Sequence, residues 1–170
     1  MGTSTSLSAE KLESAYFAGG CFWGVEYYFE KVDGVKAAIS GYMGGHTPTV
    51  NYQAICTGTT GHIEVVKIEF DSSKVSFETL AKLFFEIHNP EQTNGQGPDI
   101  GSQYISAIFY VDEDQKKVSE ELIKTLSQKG FKIATKLLKA EKFHEAEEYH
   151  QDYYERKGSV PYCHSYIKRF

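Results

Sequence analysis

The segment that most limits how this chain can fold is HIEVVKIEF (62–70), followed after six residues by FETLAKLFFEI (77–87). The first alternates, so Glu64, Val66, Ile68 and Phe70 share one face of a strand. The second repeats its apolar residues at helical spacing, with Phe77, Leu80, Leu83, Phe84 and Ile87 on one stripe and Ser76 placed as N-cap. A strand with one apolar face and a helix with one apolar stripe bury each other, which predicts a sheet covered by helices. The same pairing recurs along the chain. A short strand over 15–18 meets a Gly19-Gly20 turn and a helix over 21–32, with Phe22, Val25, Phe29 and Val32 on one face and Asp33-Gly34 as its stop. A strand fits Val35 to Tyr42, and another fits 105–111. Asp112 and Gln115 resemble a capping box ahead of a helix carrying Val118, Leu122 and Leu126. A strand near 132–139 and a helix near 145–157 follow.

Two long polar loops interrupt this order: GGHTPTVNYQAICTGTTG (44–61), with one helical turn near Tyr52 to Cys56, and HNPEQTNGQGPDIGSQ (88–103). Loops of that length inside a compact domain are often functional. The expected fold class is α+β: one mixed β-sheet with packed helices around a ferredoxin-like core, long loops and an irregular C-terminal tail.

At 170 residues the chain suits one domain, 1–170, with 1–13 read as a disordered leader and 158–170 as a mobile tail. Its formal net charge of -5 speaks against nucleic acid or an anionic membrane as principal partner. No apolar run reaches membrane-spanning length, and the N-terminus lacks the basic and apolar regions of a signal peptide. Three cysteines, Cys21, Cys56 and Cys163, make no disulfide scaffold, which favours a reducing cytoplasm. Monomer is the default state. The histidines form no metal motif, with neither CxxC nor HxxxH present.

Strand, Gly-Gly, Cys, helix sets Cys21 at a helix N-terminus, where unpaired N–H groups and the dipole favour thiolate and should lower the thiol pKa. The bland alternative is a small residue filling a helix–sheet gap. Phe22 lies on the face of Val25 and Phe29 and reads as core, whereas Trp23 points elsewhere and could wall a small apolar pocket. Glu64, on an apolar strand face, should be desolvated and hold its proton, fit to act as a general acid. Its alternative is a strand-end carboxylate that reaches solvent. Cys163 follows Pro161 in an aperiodic tail, placed to attack an oxidised sulfur elsewhere in the chain or else an incidental thiol. Cys56 reads as packing, and His150 as a hydrogen-bonded structural histidine.

The blocks GGCFWGVE, GYMGG, NYQAICTGTTGHIE, HNPEQTNGQGPDIGSQY and AEEYHQDYY, in that order across about residues 15–163, resemble the successive signatures of the A-type peptide methionine sulfoxide reductases. That resemblance implies a stereospecific reductase for the S epimer of methionine sulfoxide, free or in proteins. It implies Cys21 as nucleophile, Glu64 as acid, and Phe22 with Trp23 as the cage for the substrate methyl. Tyr52 and Tyr104 match the tyrosines that hydrogen-bond the sulfoxide oxygen, and Asp99 matches a substrate-binding aspartate beside the site. Cys163 matches the first recycling cysteine, and the chain has no second one after it. No metal, flavin or nucleotide is implied, only an external dithiol of the thioredoxin type. His144 departs from the pattern, which has an aromatic there.

Two other classes compete on residues alone. A cysteine hydrolase is loosely echoed by Cys21 near Trp23, but the CGSC pattern and a His/Asn pair are missing. A module that binds oxidised methionine without turnover would have no use for the pair Cys21 and Cys163.

Overall fold

In the computed structural model, which describes residues 11–48, 50–161 and 164–170, the chain runs through β1 (Leu12–Gly19), α1 (Phe22–Glu30), β2 (Val35–Met43), α2 (Tyr52–Cys56), β3 (Ile63–Asp71) and α3 (Phe77–Ile87). It continues with β4 (Gly95–Gln96), β5 (Asp99–Ile100), β6 (Ser106–Tyr110), α4 (Glu113–Gln128), β7 (Lys136–Lys139), β8 (His144–Glu145) and α5 (Tyr153–Lys157). β1 begins inside the stretch expected as leader.

Among the described residues the main sheet has the order β7-β6-β1-β3-β2-β8. Its inner four strands, β6, β1, β3 and β2, pair antiparallel with one another, and α1 and α3 cross between them, which is the expected ferredoxin-like βαββαβ core. β7 joins β6 in parallel and β8 joins β2 antiparallel, so the sheet is mixed. β4 and β5 form a separate small ribbon.

Strand parity sorts the core as the alternation requires. Val66, Ile68 and Phe70 face the helices, while Ile63 and Val65 pack on the opposite face with Met43 and Phe109. Phe17 holds the helix side together, stacking on Phe29 and Phe84 at 5.1 Å each and on Phe77 at 5.8 Å. A ring this well buried stabilises the fold by about 1.5–3 kcal/mol. The wetter face of β3 ends in a half-buried, solvent-reached Lys67–Glu69 pair at 3.4 Å, which adds little.

The helix caps are partly as read. Ser76 Oγ accepts from Thr79 N at 3.1 Å, and Asp112 Oδ1 accepts from Gln115 N at 2.8 Å. The Gln115 side chain does not complete a capping box. It accepts from Val111 N at 3.1 Å and donates to Ser14 O at 2.9 Å, stitching α4 to β1.

The helix expected over 145–157 is broken into β8, a 3-10 turn at Glu148–His150 and α5. Tertiary bonds outcompete the helical ladder here. Gln151 is taken by the Ser40 backbone, accepting from its N and donating to its O at 2.9 Å each. Glu26 accepts from Ser40 Oγ and from the Asp152 backbone N–H. Asp152 is left with φ 52, a conformation no helix continues through. The result is a strap, residues 146–154, laid across β2 and α1.

The stretch 158–170 was expected to be mobile, yet its last residues dock on α3. Ile167 N donates to Glu86 O at 2.7 Å, Arg169 N to Glu86 Oε2 at 3.0 Å, and Arg169 Nε to Phe85 O at 2.8 Å. The Phe170 ring meets Phe85 edge-on at 6.3 Å.

Candidate active site

β1 ends at Gly19, and Cys21 is the residue that caps the start of α1. Between them Gly20 has φ +90, and a Cβ there would stand 2.5 Å from Gln96 Cβ. Only glycine tolerates both the left-handed backbone and that approach. Gln96 is in turn locked to Asn89, accepting from its N at 2.7 Å and donating to its O at 2.9 Å. Gly20 therefore lets the second long loop close down on the cysteine turn.

What closes is a cavity of about 70 Å³ lined by Cys21, Phe22, Trp23, Tyr52, Glu64, Asp99 and Tyr104. Four parts of the chain meet there: the start of α1, the one-turn α2 in the first long loop, β3, and the second long loop. The seven lining residues are the predicted ones apart from Cys163, which lies outside the described residues. Larger open hollows of about 260 and 590 Å³ run along Glu30 and Lys36 and contain no nucleophile.

Glu64 sits on the helix-facing side of β3 and is 2% exposed. Its Oε1 accepts from Phe22 N, the first N–H of α1, at 3.3 Å. Its Oε2 is buried with no hydrogen-bond partner among the described residues. Burial pushes its pKa up to about 8, against the lowering effect of the Phe22 N–H and with a further push from Asp99. A carboxyl so placed is protonated near neutral pH. The alternative of a strand-end carboxylate reaching solvent is thereby set aside. Burial also raises the Tyr52 and Tyr104 hydroxyls, so both remain donors at physiological pH.

Phe22 serves two purposes. It is 1% exposed, packs on Tyr42 with ring centroids 5.6 Å apart, and still lines the cavity. Trp23 lies flat on Tyr153, centroids 3.7 Å apart at 5°, and its Nε1–H donates to His150 Nδ1 at 3.0 Å. His150 is thus the hydrogen-bonded structural histidine expected from sequence. Accepting at Nδ1 puts its proton on Nε2, which faces Glu147 Oε2 at 3.6 Å. Glu147 Oε1 accepts from Tyr52 N at 2.8 Å and Oε2 from Tyr42 OH at 3.2 Å. The Glu147 carboxylate on the strap thereby holds Tyr52 and Tyr42 by hydrogen bonds, while the Nε2 of His150, the ring that carries Trp23, makes no hydrogen bond among the described residues.

Glu147 and Tyr153 were missed as site residues. Their only signal was the crowding of Glu, Tyr and His in AEEYHQDYY, which periodicity cannot resolve. Cys56, read as packing, is exposed instead, because it ends the single turn of α2 and faces away from Ile55, which is buried. Asn51 caps that turn, its side chain accepting from Ala54 N at 2.8 Å, and so orients Tyr52.

Residues 13–170 match the family model described as peptide methionine sulfoxide reductase. The chain is 49% identical over 156 residues to the peptide methionine sulfoxide reductase MsrA of Ruthia magnifica, covering 92% of this chain and 94% of that one. It superposes on reduced Mxr1 of Saccharomyces cerevisiae with a TM-score of 0.85 at 32% identity, over 94% of this chain and 93% of that one. Mxr1 has also been solved in complex with Trx2, a likeness at TM-score 0.61 and 23% identity over 95% and 96% of the two chains. Methionine sulfoxide reductase A of Corynebacterium diphtheriae superposes with a TM-score of 0.79 at 32% identity, over 92% and 79% of the two chains. By the family model over residues 13–170 and by relatives alike over nearly the whole chain, the chain belongs to the peptide methionine sulfoxide reductase family, enzymes that return methionine sulfoxide to methionine.

Proposed function

We propose that the seven-residue cavity reduces the S epimer of methionine sulfoxide with Cys21 as nucleophile and Glu64 as acid. The observation that carries this reading is the buried Oε2 of Glu64, a proton-bearing group with no partner among the described residues, in the same small cavity as Cys21. A sulfoxide sulfur becomes electrophilic once its oxygen is hydrogen-bonded or protonated. Glu64 donates the proton, and the Tyr52 and Tyr104 hydroxyls bind the oxygen. Phe22 and Trp23 enclose the methyl group, and Asp99 holds the substrate backbone. Fixing methyl, oxygen and backbone at three separate places selects one hand at sulfur.

The Cys21 thiolate then takes the oxygen. The methionine sulfur is reduced by two electrons, and Cys21 is oxidised by two to a sulfenic acid. The Cys163 thiol attacks that sulfur, the S–S bond forms, the S–O bond breaks, and the oxygen leaves as water with the thiol and hydroxyl protons. The Cys21–Cys163 disulfide needs two electrons from an external dithiol. A thioredoxin-type donor fits this need, as the solved complex of Mxr1 with Trx2 supports for that relative. No metal, flavin or nucleotide enters any step. We read the protein as a cytoplasmic, monomeric repair enzyme of one catalytic domain. Among the described residues no helix is long and apolar enough to cross a membrane.

The test is to give the protein a peptide carrying both sulfoxide epimers, with and without a thioredoxin system, and to follow methionine. Conversion should stop when the S epimer is gone. Cys163→Ser should form one methionine per enzyme and then stall with thioredoxin as reductant. Sustained turnover of Cys163→Ser with thioredoxin removes Cys163 from the cycle, and no conversion by the intact protein overturns the assignment.

The strap makes a further prediction. Glu147→Ala should lower kcat/KM on the order of tenfold by loosening Tyr52, whose backbone N–H it holds. Glu147→Gln, which can still accept from Tyr52 N, should keep most of the rate. Equal losses in the two variants would show that the carboxylate charge, and not its hydrogen bonds, matters.

A further inference from the structure

The imidazole of His164 is inserted into the turn that carries Cys21. The ring is 4% exposed, and its Nε2 bonds to the Gly19 carbonyl at 2.6 Å, so Nε2 carries the proton. The Tyr28 hydroxyl donates to the His164 carbonyl at 3.3 Å. The ring stands against Gly24 in the first turn of α1. A Cβ at Gly24 would lie 2.1 Å from Nδ1 and 2.7 Å from Cγ, which no neighbour could relieve without expelling the ring. Gly24 has an unremarkable backbone, so what its missing side chain provides is this slot. Nδ1 is buried without a partner among the described residues. Burial holds the ring below the ordinary histidine range, keeping it neutral beside the positive end of the helix.

The rest of the C-terminal segment is gripped elsewhere, on α3, through Glu86, Phe85 and Arg169. Of the described residues of that segment, His164 is the one bonded to the cysteine turn itself, and it is the residue next in sequence to Cys163.

We propose that His164 is a positioning residue for the resolving step: seated in the slot left by Gly24, it ties the C-terminal segment to the Cys21 turn so that the neighbouring thiol meets the sulfenic acid at high effective concentration. This rests on the reading of Cys163 above. Intramolecular attack is fast only while the tether holds the two groups within reach, and a dock one residue away from the thiol shortens that tether as far as a chain allows. Without it the segment stays attached on α3 but its near end is released.

The experiment separates the two chemical steps. Reduced enzyme is mixed rapidly with a methionine sulfoxide peptide, and methionine and the Cys21–Cys163 disulfide are each followed in quenched samples by mass. For His164→Ala the first methionine should appear within about twofold of the wild-type rate, while disulfide formation slows by at least about tenfold. Turnover with thioredoxin should fall to match, and turnover with a small dithiol that reduces the sulfenic acid directly should be unchanged. His164→Gln, whose amide can donate to the Gly19 carbonyl from the same slot, should resolve within about threefold of wild type. His164→Leu, which fills the slot without a donor, should resolve slowly. Disulfide formation by His164→Ala at the wild-type rate overturns the proposal, as does an equal loss in both steps. Should the alanine variant not fold, equal rates in the Gln and Leu variants overturn it and a slow Leu variant supports it. A wild-type enzyme that forms no disulfide strikes instead at the role of Cys163, and the wild-type control reads that outcome separately.

Discussion

Cys21→Ser is expected to form no methionine, even in a single turnover with a small dithiol present. A serine hydroxyl is a far weaker nucleophile near neutral pH, and its oxygen cannot be raised to the counterpart of a sulfenic acid. The loss cannot be assigned to unfolding. Cys21 occupies the N-cap of α1 with no side-chain capping bond, and serine is among the preferred residues there. The variant should therefore melt at or above the wild-type temperature, while methionine measured against enzyme concentration stays at zero. Any stoichiometric first turnover by a correctly folded Cys21→Ser would move the nucleophile elsewhere.

Glu64→Gln is expected to slow the first step by about 10²–10⁴-fold, the usual contribution of a general acid, while stabilising the fold. Glutamine keeps the shape and can still accept from Phe22 N, but it has no proton to give. The pH dependence distinguishes this role from a packing role. The wild-type rate should fall as pH rises through about 8, where Glu64 ionises, and the residual rate of the variant should lack that fall. Stability moves in the same window. Folded Glu64 keeps its proton to about pH 8, whereas in the unfolded chain it titrates near the ordinary 4.5. Stability is therefore fully present below the lower value and declines as pH rises to the upper one. The neutral glutamine shows no such decline, so its advantage in Tm should be small at pH 5 and larger at pH 8. A variant less stable than wild type at pH 8, with an unchanged pH profile, would make Glu64 structural.

Much of this was legible in the chain. Strand alternation placed Glu64 among Val66, Ile68 and Phe70, and burial on that face is the physical reason its proton is held. Helical spacing located α3 and its Ser76 cap to the residue. The cavity residues had a less local source. Periodicity assigned Phe22 to the core, correctly, and could not add that it also lines the site. The family resemblance was needed to bring in Tyr52, Tyr104 and Asp99, which lie in long loops without periodicity. The strap was misread for a related reason: a Glu- and Tyr-rich stretch has helical propensity, yet bonds from Glu26 and Ser40 hold it open.

By itself, then, the sequence determined the order of the core strands and helices up to α4 and the facing of their apolar residues, because both follow from side-chain period. It also singled out Cys21 at a helix start between glycines. Only the tertiary structure decided what those glycines are for. Gly20 admits Gln96 and the second loop, and Gly24 admits the His164 ring from far along the chain. It likewise decided that one carboxylate, Glu147, would hold both Tyr52 and Tyr42 from the strap. Such contacts join residues from 76 positions apart, as in Gly20 and Gln96, to 140, as in Gly24 and His164, and a pattern confined to neighbouring residues carries no information about them.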